Sequence, residues 1–256
     1  MPNAWDGTLI LAPMAAIFAG TGGDTPEHRH LAHKIVVGAS AAGRAMQLRR
    51  GDEAIAIPAG EHHQVLAARR QVVLVYLDAR RFRWSHAAWL AERWRRLSPG
   101  GEAGCEPGGE AGCVPGCVPG RVPGRVIDAL LEDIASLSAW AADRRALVAI
   151  EAMADGDSLV DVGRSLGLSE SRVTHLVTEQ LGAPPRAWRT WLRLRSAVDL
   201  LGEGETITSA AHAAGFADSA HFSRTCSLSL GIAPSGLRRL RIDRRGAGRS
   251  ELGRAG

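Results

Sequence analysis

Hydrophobic residues recur at helical spacing in the C-terminal part of the chain. Leu159, Val162 and Leu166 follow one another at i, i+3 and i+7, which predicts a single apolar stripe on a helix. Ser158 stands at the N-cap position, where its hydroxyl can accept a hydrogen bond from a first-turn amide. Gly167 ends the pattern, because glycine adopts positive φ without a steric cost. The stretch is therefore predicted to be a short, capped helix.

A second short helix is predicted immediately afterwards, with Ser169 as its N-cap. Its inward face consists of Val173, Leu176, Val177 and Leu181. Two short helices that are joined by a turn containing glycine predict a helix-turn-helix unit.

The helix-turn-helix pattern occurs twice. In the second copy, Gly215 and Phe216 take the places of Gly167 and Leu168, 48 positions further along the chain. The apolar stripe of this copy consists of Ile207, Ala210, Ala211 and Ala214. A long connecting helix between the copies is predicted from Trp188, Trp191, Leu194, Val198 and Leu201. An internal repeat of such units is far less expected by chance than a single unit.

The stretch GFADSAHFSRTCSLSLGIAPSGLRR, which begins at Gly215, resembles the sequence signature of the AraC/XylS family of bacterial transcription regulators. With the first unit and the connecting helix, the resemblance covers residues 143–240. It implies an all-α C-terminal domain that binds double-stranded DNA and is not an enzyme. The sequence departs from the family pattern at Cys226, where an aromatic residue is usual, at Leu237, where tyrosine is usual, and at 227–229, where basic residues are common.

In helix-turn-helix proteins the second helix enters the major groove, and its N-terminal residues meet the edges of the bases. The positions that face away from the apolar stripes are Ser171, Arg172, Thr174, His175, Ser219, Ala220, His221, Ser223 and Arg224. The resemblance implies base contacts at all of them except Arg172 and His221. Arg224 is the foremost candidate, because a guanidinium can bind guanine O6 and N7 with two hydrogen bonds. A phosphate contact or a salt bridge is the alternative role of this arginine.

The connecting helix is expected to set the distance between the two units. From Trp188 to Leu201 it spans about 21 Å at about 1.5 Å per residue. With the radii of the flanking helices added, the recognition helices are expected to lie about 34 Å apart, one turn of DNA. Phosphate contacts are predicted for the arginines on or near this helix, which are Arg186, Arg189, Arg193 and Arg195.

The N-terminal half shows short runs typical of β-strands. The runs, which are separated by Gly, Pro, Asp or His clusters, predict strands at 8–11, 15–18, 34–37, 45–48, 53–57 and 71–77, with a hairpin turn at 50–52. This spacing is typical of an antiparallel sandwich or small barrel, so the fold class is α+β. A helix is predicted from Ser85 to Leu97, whose face of Trp89, Leu90, Trp94 and Leu97 either packs on the sheet or forms part of a dimer interface.

Residues 1–97 also resemble, more distantly, the small cupin-like sensor domain that often precedes an AraC-type domain. This resemblance rests on His28-Arg29-His30 and on Gly51…Pro58-Ala59-Gly60-Glu61-His62-His63. It implies a small-molecule effector and a homodimer, and a regulator of this kind is also expected to contact RNA polymerase.

Three histidines are candidate ligands in this domain. In metal-binding cupins, histidines and a glutamate surround the metal, and His28, His30 and His63 match the histidines. Lys34, however, lies near the expected position of the glutamate, where a positive charge would oppose the binding of Zn, Fe or Ni. The sequence therefore favours three histidines that line an effector pocket or lie on a loop, with no metal and no cofactor.

A low-complexity segment separates the two halves. In residues 98–125, GEAGC occurs twice and VPG three times, which predicts a linker without a core of its own. It contains Cys105, Cys113 and Cys117, which either bind a soft metal, form a regulatory disulfide or are incidental to the insert.

The domain boundaries follow from these patterns. Leading helices are predicted at 126–137 and 144–153, so that the DNA-binding half with its leading helices comprises residues 126–240. The Gly- and Arg-rich tail at 241–256 is predicted to be disordered and basic.

The charge distribution agrees with a DNA-binding C-terminal half. From Arg144 onward there are 16 arginines and 12 acidic residues, against 15 basic and 15 acidic residues before it, so the whole net charge of +4 lies in the helical half. The sequence shows neither a signal peptide nor a membrane span, which predicts a cytoplasmic protein without a membrane partner. The alternatives are a redox- or metal-responsive regulator and a cupin-type metalloenzyme with an accessory DNA-binding domain.

Overall fold

The computed structural model describes residues 5–37, 40–43, 54–67, 71–95, 124–138, 140 and 142–245. Within them, the N-terminal half contains a six-stranded and a two-stranded sheet, and the C-terminal half is helical. The α+β fold class predicted from the sequence is thereby confirmed. The predicted strand at 45–48, the hairpin turn at 50–52 and the three linker cysteines lie outside the described residues.

The strands of the described part follow most of the predicted runs. They are β1 (Asp6–Ala12), β2 (Ala15–Thr21), β3 (Ala32–Val37), β4 (Ser40–Gly43), β5 (Ala54–Ile57), β6 (His63–Leu66), β7 (Gln71–Asp78) and β8 (Arg241–Arg244). The large sheet has the order β5-β3-β7-β2-β1-β8, and β4 pairs with β6. The sequence did not predict β4 and β6, because SAAG contains only small residues and HQVL begins with two polar ones.

The large sheet is buried on both faces, because successive side chains of a strand point to opposite sides. In β1, Leu9 and Leu11 join one hydrophobic cluster and Ile10 joins another. In β7, Leu74 and Val75 are divided in the same way. The first face packs against two helices that lie between the sheet and the C-terminal half in the chain. The second face packs against helices of the C-terminal half. The sheet therefore lies between two helical layers.

Two helices cover the first face of the sheet, α1 (Trp84–Arg95) and α2 (Gly124–Ser136). Leu90 and Trp94 of α1 are buried there, but Trp89 is 50% exposed, because neighbouring positions on a helix point in different directions. The predicted face of Trp89, Leu90, Trp94 and Leu97 is therefore wrong at Trp89, and Leu97 lies outside the described residues. The buried residues of α2 join the same cluster, so this helix packs with the sheet and not with the DNA-binding half to which the sequence assigned it.

The helices of the C-terminal half are α3 (Arg144–Asp155), α4 (Leu159–Leu166), α5 (Glu170–Leu181), α6 (Pro185–Gly202), α7 (Ile207–Ala213), α8 (Ser219–Leu230) and α9 (Pro234–Leu237). They contain both predicted pairs of short helices and, in α6, the predicted connecting helix of 18 residues. The first pair packs with α3 around Trp188, whereas the second pair packs against the sheet. Across the described ranges, no helix combines the length and apolar character needed to span a bilayer.

After α9 the chain returns to the N-terminal sheet. Strand β8 lies parallel to β1, with Ile242 opposite Leu9. Ile242 packs against the hydrophobic core that lies between the sheet and the C-terminal helices. The prediction of a disordered tail is therefore wrong for residues 241–244. Their composition shows no strand pattern, and the strand forms because the edge of β1 offers unpaired backbone groups. Residues 246–256 lie outside the described residues.

Candidate functional site

The first helix-turn-helix unit is built from local signals. Ser158 Oγ accepts a hydrogen bond from the Asp161 amide at 3.1 Å, and Ser169 Oγ accepts one from the Arg172 amide at 3.3 Å. Gly167 adopts a φ of 65° and ends α4 in the left-handed conformation. These caps satisfy helix-end groups that would otherwise lack a partner, and they fix the turn between α4 and α5.

Gly163 is a residue of this unit whose role the apolar pattern did not reveal. A Cβ at this position would lie 2.7 Å from the carbonyl oxygen of Leu168, so the helix and the turn approach too closely for a side chain. The equivalent position of the second unit is Ala211, which is fully buried. A small residue at this point of both copies could have been noticed from the repeat alone.

The second unit is capped in the same way and accommodates its departures from the family pattern. Asp218 accepts a hydrogen bond from the His221 amide at 2.6 Å, and Phe222 is fully buried. Cys226 replaces the usual aromatic residue, and its thiol is buried and donates to the carbonyl of Ile232 at 3.1 Å. Burial raises the pKa of this thiol to about 12. Leu237 is buried as well, so both substituted positions belong to a packed core.

The residues predicted to meet DNA lie on the open faces of α5 and α8. The exposed members are Ser171, Arg172, His175, Ala220, His221 and Arg224. The half-buried members are Thr174, Ser219 and Ser223. Since none of the nine is buried, the N-terminal half leaves both recognition helices accessible.

The arginines predicted to contact phosphates fall into two groups. Arg186 is exposed and Arg189 half-buried, so their side chains can reach a ligand. Arg193 instead donates to the carbonyl of Gly215 at 2.8 Å and to that of Ala154 at 3.3 Å, which ties the turn of the second unit to the end of α3. The sequence shows that Arg193 is on the connecting helix but not which neighbours its face meets.

The match to a known domain covers this part of the chain. The matching family model describes a helix-turn-helix domain and spans residues 162–240, within the range expected from the sequence. This helix-turn-helix domain lies in the part of the chain that resembles the AraC/XylS family, hereafter the AraC-type domain.

Several solved structures are similar to the chain. An AraC-type transcriptional regulator from Chromobacterium violaceum is 29% identical, covers 38% of this chain and 88% of its own, and has a TM-score of 0.36. The C-terminal domain of AraT, a response regulator from Geobacillus stearothermophilus, is 21% identical over 39% and 88% of the two chains, with a TM-score of 0.36. ToxT from Vibrio cholerae O395 is 12% identical over 89% and 96%, with a TM-score of 0.47. No curated protein matches the sequence.

A buried carboxylate joins the AraC-type domain to the sheet. Asp78, at the end of β7, accepts hydrogen bonds from Arg80 at 2.6 Å and from Arg195 of α6 at 3.0 Å. Arg195 also donates to the carbonyl of Pro13 at 2.8 Å, and it is therefore engaged between the halves rather than free for a phosphate. Burial raises the pKa of Asp78, but the hydrogen bond and charge of Arg80 and the charge of Arg195 outweigh burial and hold this pKa below its usual value.

A cavity of about 130 Å³ lies between the sheet and the AraC-type domain. Its mainly apolar lining includes Leu9 and Phe18 of the sheet together with Leu194 and Val198 of α6. The charged side chains among the lining residues are Asp78, Arg195 and Asp199. The sequence could not show this cavity, because its walls come from elements that are far apart in the chain.

The three histidines predicted to form an effector pocket lie close together but do not line this cavity. His28, His30 and His63 are buried, and their candidate ligand atoms lie within 4.8 Å of one another. The ring of His30 lies 5.0 Å from that of Tyr76 and 5.8 Å from that of Trp191, both of which line the cavity. The histidine cluster therefore lies behind one wall of the cavity.

Burial and neighbouring positive charge keep these histidines neutral. Burial, with added effects of Lys34 and the other rings, lowers the pKa of His28 to about 3 and that of His63 to about 4, and it lowers the pKa of His30 well below its usual value. Lys34 itself is fully buried, and burial lowers its pKa to about 7.

Proposed function

We propose that this chain is a sequence-specific transcriptional regulator that reads two adjacent major grooves and responds to a small apolar effector. The observation that carries the proposal is the placement of the predicted base-contacting residues on the open faces of α5 and α8 in an AraC-type domain. A helix-turn-helix domain supports a DNA-binding regulator and not an enzyme.

Two features of the C-terminal half support reading by both units together. Helix α6, with 18 residues, is about 27 Å long at about 1.5 Å per residue, which is compatible with units about one turn of DNA apart. Arg193 adds a connection between the two units, because its guanidinium binds the carbonyl of Gly215 in the second unit and that of Ala154 in α3, which packs with the first unit. Its proposed contribution to DNA binding is therefore positioning of the second unit, with Arg186 and Arg189 as phosphate contacts.

Replacing Arg224 by alanine tests the placement of the base contacts. If its guanidinium pairs with a guanine, Arg224→Ala should weaken binding to a DNA fragment selected from the source genome by about 1–3 kcal/mol, or roughly 5- to 160-fold. Binding to unrelated DNA should change much less. The measurement is a titration of both DNAs at one fixed salt concentration, because phosphate contacts depend on salt.

Arg164→Ala is the matched control for this experiment. Arg164 also carries an exposed guanidinium, but it lies on α4, and its visible partner is Asp161 at 2.8 Å. Its loss should leave the preference for the selected fragment unchanged. An equal loss of affinity for selected and unrelated DNA in Arg224→Ala would show that Arg224 grips phosphate and would contradict its role in base reading.

The effector part of the proposal rests on the cavity beside α6. Its volume of about 130 Å³ is similar to that of an engineered apolar cavity of about 150 Å³ that binds benzene. Because α6 both lines the cavity and joins the two units, a ligand there can change the position of one unit relative to the other. A small apolar molecule is therefore the proposed class of effector.

Filling the cavity tests this idea. Benzene should raise the unfolding temperature of the unaltered protein, with a stabilisation of about 2.7 kcal/mol at a hundred times its dissociation constant. Ala16→Phe places a ring against the cavity wall and should abolish this increase, whereas Ala213→Phe, at an exposed position of α7, should keep it. An equal benzene response in both variants would contradict the assignment of the effector site.

The finer expectations of a homodimer, of contact with RNA polymerase and of a cytoplasmic location remain proposals. The metal-responsive alternative would require a metal ion at the cluster of His28, His30 and His63.

A further inference from the structure

The three buried histidines form a cage of hydrogen-bond acceptors. The Nδ1 atoms of His28, His30 and His63 lie 2.9, 3.0 and 2.9 Å from the carbonyl oxygens of Pro26, Ala32 and Glu61. A carbonyl oxygen only accepts hydrogen bonds, so each Nδ1 carries the proton. In a neutral imidazole the other nitrogen is then a bare acceptor. All three rings therefore present an Nε2 lone pair.

One amine is placed to donate to this cage. Lys34 Nζ lies 3.3 Å from His28 Nε2 and 3.4 Å from His63 Nε2, and it lies 4.9 Å from the centre of the Tyr76 ring. His30 Nε2, the third acceptor, is buried and lacks a hydrogen-bond partner among the described residues. Lys34 reaches this point because strand alternation places it on the same face of β3 as Val36, which faces the AraC-type domain.

The cage does not fit the metal that the cupin resemblance implies. Zinc binds histidine nitrogens at about 2.0–2.1 Å, and a metal between His28 and His63 would need the space next to both Nε2 atoms that Lys34 Nζ occupies. The three histidines by themselves are a ligand set that zinc accepts, so the occupied position of the Lys34 amine, and not the type of ligand, excludes the metal.

We infer that Lys34 is the built-in hydrogen-bond donor of this cage. Its amine takes the place of a transition-metal ion, joins β3 to the two histidine-bearing segments through hydrogen bonds, and keeps divalent metals out. Removal of the amine alone should leave three converging Nε2 lone pairs and turn the cage into a site for a divalent transition metal such as Co²⁺ or Zn²⁺. The same cage that closes the native protein to metal is thus a latent metal site.

The location of the cage links its content to the DNA-binding half. Trp191 of α6 lies against His30, and a Cβ on Gly231 would come within 3.1 Å of His28 Nδ1. The loop after α8 therefore packs directly on the cage. A change in what the cage contains alters the surface on which the second helix-turn-helix unit rests.

Cobalt binding to the full-length, tag-free chain tests the inference, because Co²⁺ reports its coordination through visible absorption. The unaltered protein should show no saturable cobalt spectrum. Lys34→Ala should bind one Co²⁺ per chain, at least 100-fold more tightly than the unaltered protein does. The double variant Lys34→Ala/His30→Ala should lose at least tenfold of that gained affinity. Zn²⁺ should displace the cobalt from Lys34→Ala.

A second variant separates metal binding from folding. The methionine side chain of Lys34→Met is as thick as the lysine side chain but ends one atom earlier. It therefore fills the space of the lysine methylene groups and leaves the position of Nζ open. Its circular dichroism and DNA binding show whether the chain is folded, and it should also acquire a cobalt site. Saturable cobalt binding by the unaltered protein that disappears in His30→Ala would overturn the inference, and so would folded Lys34 variants that bind no metal.

Discussion

Trp188→Ala should destabilise the AraC-type domain by about 3–5 kcal/mol, the usual range for removing a buried tryptophan. Trp188 is fully buried in the cluster that joins α3, α5 and α6, where it packs with Ile150 and Val177. Its Nε1 has no hydrogen-bond partner in the described part, so the cost is almost entirely one of packing and of the cavity left behind. A loss of this size is a large fraction of the 5–15 kcal/mol that typically stabilises a domain.

Thermal or denaturant unfolding measures the effect, and DNA binding should fall with the folded fraction. Trp89→Ala is the matched control, because it removes the same side chain from a position that is 50% exposed. Trp188→Phe should recover part of the loss, since it restores a ring to the core. Equal stabilities of the Trp188→Ala and Trp89→Ala variants would be incompatible with the central position of Trp188.

The helical half could be predicted from the sequence because its signals are local. Ser158 and Ser169 cap helices through atoms three residues away, and Gly167 ends one helix by its own backbone conformation. Buried positions recur at helical spacing, so the remaining positions of the second helix in each unit could be predicted to face DNA. A repeat of the whole unit strengthened each of these inferences.

The arrangement of the two halves could not be predicted because it depends on contacts between distant parts of the chain. Strand β8 pairs with β1 across almost the full length of the sequence, and its composition resembles a disordered tail. Arg193 and Arg195 appeared as surface arginines on a helix, but their guanidinium groups meet carbonyl and carboxylate oxygens of other elements. Such partners become visible only in three dimensions.

The candidate sites of the N-terminal half show the same limit. The sequence identified His28, His30 and His63, and the structure brings them together. It also identified Lys34 as a residue opposed to metal binding, but it could not place the amine between two imidazoles. The apolar cavity lies elsewhere, because its walls come from the sheet and from α6.

Asp78→Asn should weaken the junction between the sheet and the AraC-type domain by about 3–5 kcal/mol, the range for breaking a buried ion pair. The carboxylate is almost fully buried and binds both Arg80 and Arg195, so its neutralisation leaves two partly buried guanidinium groups without their shared counter-charge. Asparagine keeps the shape of the side chain, which limits the effect to charge and hydrogen bonding. The expected result is a lower unfolding temperature near neutral pH.

The pH dependence of this loss distinguishes a charge effect from a packing effect. The pKa of Asp78 is held below its usual value in the folded protein, so its contribution to stability is complete above the unfolded pKa of about 3.9. That contribution is lost as the pH falls through the lower, folded pKa, and the stability difference between the unaltered protein and Asp78→Asn should shrink over this range. Asp161→Asn is the control, because its pair with Arg164 is exposed and screened by solvent, so its loss should change stability far less. A stability difference for Asp78→Asn that stays constant into strong acid would show that the carboxylate charge does not hold the two halves together.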